Sequence, residues 1–170
     1  LQEWAESGQR THYQDIRNTH RDQGQDVHWF PNGQLHTRFD FRPQADTVSI
    51  EYYSDRGNLK RIQRRYARDG MYLVLDQREY FESGMLQRSV ERRSPLPTAL
   101  PTDWEMVEKG FNEAGVMMRF TIRTEREYQE EIYYANGIKG IARHLLDNHL
   151  QGRFEELDSL GRIRVRRSEE

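Results

Sequence analysis

One spacing constrains this chain more than any other feature: an aromatic residue, three or four positions, then a glycine, recurring along the sequence. The first copy is Trp29-Phe30-Pro31-Asn32-Gly33-Gln34-Leu35. Tyr52-Tyr53 before Gly57, Tyr80-Phe81 before Gly84, Phe111 before Gly115 and Tyr133-Tyr134 before Gly137 repeat it. Leu157 before Gly161 is a degenerate sixth copy. Steps between these glycines lie in the twenties of residues, except the longer one from Gly84 to Gly115. Self-similarity at such a period signals a repeat array, each unit too small to bury its own apolar face.

An aromatic, a polar turn with glycine and then an aliphatic reads as the tip of a β-hairpin. Gly33, Gly57, Gly84, Gly115, Gly137 and Gly161 are therefore predicted turn glycines. Two lengths alternate. The short form, with Asn32-Gly33 or Asn136-Gly137, fits a two-residue type I′ turn, with Phe30 facing Leu35. The long form fits a type I turn followed by glycine in the left-handed region, with Tyr53 facing Leu59. The fold class expected is all-β, an elongated array of antiparallel hairpins with a short non-repeat cap at the N-terminus. Residues 1–20 are read as that cap or a short helix, and 21–170 as one repeat domain of about six hairpins. Residues 94–103 hold Pro95, Pro97 and Pro101 and read as a loop inserted between copies. The segment 141–150 fits helix or strand by pattern, and the repeat context favours a strand followed by a turn at Asp147-Asn148.

Composition agrees with a thin layer. Of 170 residues, 35% are hydrophobic and 32% charged, too polar for a thick two-sided core. Yet 3 Trp, 9 Tyr and 7 Phe argue against disorder. Net charge is −2, so no overall basic field holds nucleic acid. All basic residues except Lys60, Lys109 and Lys139 are arginine, which suits either a compositional bias or paired recognition of carboxylates. The absence of cysteine excludes disulfides, thiolate metal sites and thiol catalysis. No apolar run is long enough to cross a membrane as a helix. The chain opens on Leu1, which fits either trimming or secretory processing.

No catalytic or metal-binding constellation is expected. His28 and His36 flank the first turn but point to opposite sides of a sheet, so they do not share an ion. His144 and His149 are spaced for neither a helix face nor one side of a strand. The glutamates interleave with arginines as a charged surface, and no phosphate loop or nucleophile elbow is present. Cofactors are expected to be none.

The aromatic pairs carry the remaining information. Alternation sends Phe30, Tyr53, Phe81, Phe111 and Tyr134 to one face, read as the core, and Trp29, Tyr52, Tyr80 and Tyr133 to the other. The second row is a candidate partner-binding stripe, because Trp and Tyr tolerate half-exposure and concentrate binding energy. The alternative is that it packs beneath loops or a second layer. Trp104, next to the proline-rich loop, and Arg164 and Arg166 near the C-terminus are further candidates.

The unit Tyr133-Tyr134-Ala135-Asn136-Gly137-Ile138-Lys139-Gly140 resembles the variant MORN repeat of a family of bacterial antitoxins, and Trp29 to Leu35 resembles it next best. The likeness spans about residues 27–166. It implies a row of antiparallel hairpins. It also implies a protein that neutralises a toxin by binding it, as an antitoxin or as the immunity partner of a secreted effector. The expected partner is thus a cognate toxin or effector in the periplasm, with the cytoplasm as the alternative. MORN-type repeats also occur in scaffolds and membrane-associated proteins, so a scaffold binding lipid headgroups or a structural partner remains the second reading. An enzyme is not expected.

Overall fold

A computed structural model describes residues 1–16, 24–42, 47–68, 71–93, 104–147, 149–150 and 152–169. The chain forms two compact units, Leu1–Gly84 and Met85–Glu170. No helix occurs among the described residues. The first unit holds β1 (Gln2–Trp4), β2 (Arg10–Ile16), β3 (Gly24–Trp29), β4 (Leu35–Arg42), β5 (Thr47–Tyr53), β6 (Leu59–Arg68) and β7 (Met71–Tyr80). The second holds β8 (Leu86–Arg93), β9 (Glu105–Phe111), β10 (Met117–Arg123), β11 (Glu127–Tyr133), β12 (Lys139–Leu146), β13 (His149–Leu150), β14 (Gly152–Leu157) and β15 (Ile163–Glu169). Within each unit the strands pair antiparallel with their neighbours in sequence, except that β12 pairs both β13 and β14. The proline-rich stretch 94–103 lies outside the described residues.

All the aromatic–glycine turns are built alike. In each, the glycine N–H donates to the carbonyl three residues earlier at 2.8–2.9 Å, as from Gly33 to Phe30 and from Gly57 to Ser54. These glycines have φ between +77° and +87°. Trp29 pairs with Leu35, Tyr53 with Leu59, Phe111 with Met117, Tyr133 with Lys139 and Leu157 with Ile163. This is a type I turn followed by a glycine bulge throughout.

The two-residue turns expected at Asn32-Gly33 and Asn136-Gly137 therefore do not form. A type I′ turn needs positive φ at the asparagine as well. Among the described non-glycine residues only Asp147 has it. Pro31 falls at the second position of a type I turn, where its fixed φ fits. Phe30 consequently belongs to the turn and does not face Leu35.

The alternation of lengths has a different physical meaning. In the long copies a small polar side chain opens the turn and caps it. Asn112 Oδ1 accepts the N–H groups of Ala114 and Val116 at 3.0 and 2.9 Å, and Asp158 Oδ1 those of Leu160 and Arg162 at 2.9 and 3.0 Å. In the short copies an aromatic opens the turn, and in the first and fifth copies the asparagine before the glycine does the capping. Asn32 Oδ1 accepts from Gln34 N–H and Asn136 Oδ1 from Ile138 N–H, both at 3.1 Å.

Of the expected cap of residues 1–20, the described part, residues 1–16, is not a helix. It is a further hairpin of the same form, in which Gly8 N–H donates to Ala5 O at 2.9 Å and Trp4 pairs with Arg10. The expected strand over 141–150 is present, with β12 turning at Asp147 to pair with β13.

The core sits mid-strand and not in the row next to the turns. In the first unit Ile50, Val48, Thr37 and Gln63 are buried on the face that also carries His28 and Phe39. In the second unit Thr121 and Glu130 are buried on one face and Val107 on the other. Tyr53 and Phe111, expected in the core, are only half-buried.

Candidate functional site

Register decides which side chains share a face. In the first unit His12, His28, Thr37, Tyr52, Arg61 and Glu79 lie opposite one another along a single row. The residues that immediately follow in β3, β5 and β7 point the other way. That opposite face, at its turn end, carries Trp4, Trp29, Tyr53 and Tyr80, each four residues before its glycine.

The expected stripe of Trp29, Tyr52 and Tyr80 does not lie on one face. Trp29 and Tyr80 do share a face, but Tyr52 does not belong with them. Tyr53 occupies the equivalent position because its turn starts one residue later relative to the aromatic pair. Tyr52 lies on the core face beneath the Arg61 guanidinium, 4.0 Å from the ring centroid.

The cluster around Arg10 is the densest part of this surface. Its guanidinium lies 5.0 Å from the Trp4 ring centroid, 5.7 Å from Tyr13 and 5.9 Å from Trp29. Each such contact contributes about 0.5–1 kcal/mol at an exposed site. The contacts hold the side chains in place while Trp4 keeps 56% of its surface exposed and Tyr13 and Trp29 are half-buried. Trp, Tyr and Arg are the residue types that dominate binding energy at protein interfaces. Further along the same face, Tyr53 donates to Glu51 at 2.8 Å. Burial and this bond push its hydroxyl up to about 12.

In the second unit Phe111, Tyr133 and Leu157 hold the position four before the glycine. Tyr133 donates to Glu131, which Lys139 also contacts. Burial and the Glu131 bond push Tyr133 up to about 12. Trp104 is half-buried just before β9. Arg164 and Arg166 are exposed on β15, where Arg166 pairs with Glu155 at 3.1 Å and the neighbouring Arg162 with Asp158 at 2.7 Å.

The displaced ionisations do not furnish a base or acid near neutrality. Burial raises Glu130, but bonds from Tyr128, Arg143 and Arg119 outweigh it and hold the carboxylate below its ordinary range. Burial likewise raises Glu131, and Lys139 and Tyr133 more than offset it. General acid–base work near pH 7 calls for shifts towards 7, and these run the other way.

Sequence reasoning missed Trp4, Arg10 and Tyr13, which it had placed in a cap. The signal was present: Trp4, Gly8 and Arg10 have the spacing of Tyr53, Gly57 and Leu59. It also set the histidines aside one by one, whereas the fold stacks His12 on His28, ring centroids 4.4 Å apart. Comparison with protein-family models and with curated proteins gives no match for this chain.

Proposed function

We propose that this chain is a non-enzymatic binding protein that neutralises a cognate bacterial toxin or secreted effector by direct contact, acting as its antitoxin or immunity partner. The observation that carries the reading is the cluster of Trp4, Arg10, Tyr13 and Trp29 on one face of a hairpin array, with Trp4 and Arg10 exposed. A side chain as large as Trp4 left 56% exposed, yet positioned by a guanidinium, is preorganised for a partner. The resemblance of the turn units to variant MORN repeats supplies the class of partner. The periplasm is the proposed compartment, and fractionation of the source cells tests it.

The scaffold reading would draw on the arginine excess, especially Arg162, Arg164, Arg166 and Arg167 near the C-terminus. Arg162 and Arg166 are neutralised by Asp158 and Glu155, which weakens that surface as a lipid-headgroup site.

The test is binding to, and protection from, the product of the adjacent toxin gene. Trp4→Ala and Arg10→Ala should each weaken binding by about 1–4 kcal/mol. Their melting midpoints should stay near that of the parent, because neither side chain is buried. Undiminished affinity in the double variant would move the interface elsewhere. Absence of any toxin binding, with sedimentation on anionic liposomes, would replace the reading by the scaffold one.

A further inference from the structure

The face opposite the Trp29 surface carries a second cluster that the proposed function does not use. His12 on β2 and His28 on β3 are direct partners across the antiparallel ladder. Asp26 lies two residues before His28 and so shares its face. His12 Nε2 is 2.8 Å from Asp26 Oδ1, and His28 Nε2 is 3.0 Å from the same oxygen. Two imidazole nitrogens and a carboxylate oxygen thus lie within 4.8 Å of one another.

We propose that His12, Asp26 and His28 form a binding site for one divalent transition-metal ion of the borderline class, with Zn2+ as its representative. Two imidazoles and one carboxylate are a donor set that suits such ions and not Ca2+ or Mg2+, which take oxygen ligands. A tetrahedral ion with bonds near 2.0–2.1 Å separates its ligand atoms by roughly 3.3 Å. Asp26 Oδ1 therefore needs to part from each histidine Nε2 by only a few tenths of an ångström.

The surroundings support the nitrogen lone pairs. Glu3 on β1 places a carboxylate oxygen 3.6 Å from His12 Nδ1, on the far side of the ring from Asp26. Once His12 Nε2 and Asp26 both bind the ion, the ring proton stays on Nδ1, where the Glu3 carboxylate faces it, the usual outer arrangement of a metal-ligating histidine. The His28 ring is held from its side by Phe39, edge to face at 6.2 Å. His12 and Asp26 are 14% and 20% exposed and His28 is 39% exposed, so an ion has an entry path.

One ring must also turn. The two rings are stacked with an interplanar angle of 7°, and one ion cannot lie in the planes of both. The more exposed His28 ring is the one free to turn about its terminal torsion, which is broad for histidine, so that its lone pair leaves the stacked plane. Three protein ligands then leave one position for water or for a donor from another molecule.

The experiment uses untagged protein titrated with Zn2+ alone by calorimetry, and with Ni2+ while histidine ring signals are followed by NMR. The expected result is one ion per chain, with paramagnetic broadening of His12 and His28 before His36, His144 and His149. His28→Gln and the isosteric Asp26→Asn should each weaken Zn2+ binding by more than about tenfold. Glu3→Gln should weaken it by about tenfold, through the orientation of His12. Asp26→Asn keeps the shape of the cluster, so a folded variant is secured even if a histidine replacement disturbs the sheet. Lack of binding up to about 1 mM Zn2+ overturns the proposal. So does equal affinity in the His12→Gln/His28→Gln double variant, or first broadening at His144 or His149. These readouts do not involve a toxin, and failure of the antitoxin reading leaves them unaffected.

Discussion

Replacing Glu130 by Gln removes the most buried charge described in the chain without changing its volume. Glu130 sits on β11 between Thr121 and Arg143 in register, with 2% of its side chain exposed. Arg119 Nη2 reaches Oε1 at 2.7 Å, and Arg143 reaches Oε2 through Nε at 2.6 Å and Nη2 at 2.5 Å. An amide in place of the carboxylate turns its NH2 towards one guanidinium and loses the charge that both arginines answer. Breaking a fully buried ion pair costs about 3–5 kcal/mol, and breaking an exposed one about 0–1 kcal/mol. This site lies between the two. The carboxylate is covered, but Arg119 and Arg143 stay 52% and 43% exposed and can be rehydrated once freed. The expected loss is about 2 kcal/mol, or roughly 4–8 °C in melting midpoint if the whole chain melts as one unit. The sign with pH follows from the depressed ionisation of Glu130 in the fold. Its contribution is complete above the unfolded-state value near 4.3 and disappears as pH falls through the lower folded-state value. Urea denaturation of parent and variant at pH 7 and across the acid range measures both effects. The gap should close as the carboxylate protonates. Equal stability at pH 7, or a gap that persists unchanged into strong acid, would refute the reasoning.

Three further substitutions test contacts at and beside the turns. Gly140→Ala should destabilise by about 1–3 kcal/mol, since a Cβ there would come within 2.9 Å of Tyr134 Cε2 and displace a ring whose hydroxyl donates to Leu157 O at 2.9 Å. Gly110→Ala, where the nearest atom is Arg119 Cβ at an ordinary 3.7 Å, is the control and should melt no lower than the parent. Asn136→Asp keeps the acceptor for Ile138 N–H but loses the bond from Nδ2 to Ser159 O at 2.8 Å, so thermal melting should show a loss of about 0.5–1.5 kcal/mol at neutral pH. An unchanged midpoint would mean that neighbouring turns are not coupled through this residue.

The hairpin architecture was legible because an aromatic, a turn glycine and an aliphatic at fixed spacing leave few alternatives. Register was less legible. Asn-Gly carries a strong type I′ preference, and it competes with the preference of Pro31 for the second position of a type I turn. The turn chosen at Gly33 is the one that also fits Gly57 and Gly115, and the shift moves Trp29, not Phe30, opposite Leu35. A one-residue slip changes the face of every side chain beyond it. That is why the stripe was read with Tyr52 where Tyr53 belongs. The His12–Asp26–His28 cluster was not legible from spacing, because it depends on which residue of β2 meets His28 across the ladder.

All the turn glycines of the repeats except Gly84 answer to a neighbouring turn as well as to their own hairpin. The residue after one glycine lies over the next. A Cβ on Gly33 or Gly57 would meet the amide of Gln9 or Gln34 at 2.6 and 2.7 Å. In the second unit Met85, Val116 and Ile138 approach the same point on Gly115, Gly137 and Gly161 at 3.4–4.0 Å. Asn32 Nδ2 also donates to Asp55 O in the following turn at 2.7 Å, as Asn136 does to Ser159. The glycines thus supply positive φ and also leave room for the preceding turn. Stability in such an array is a sum of units and nearest-neighbour contacts, and here many of those contacts lie along the turn edge. Mid-strand positions are released from the repeat pattern. That freedom allows β3 to carry Trp29 towards one surface and His28 with Asp26 towards the other, while the equivalent strand β5 uses the same positions for Tyr53, Tyr52 and the core residue Ile50.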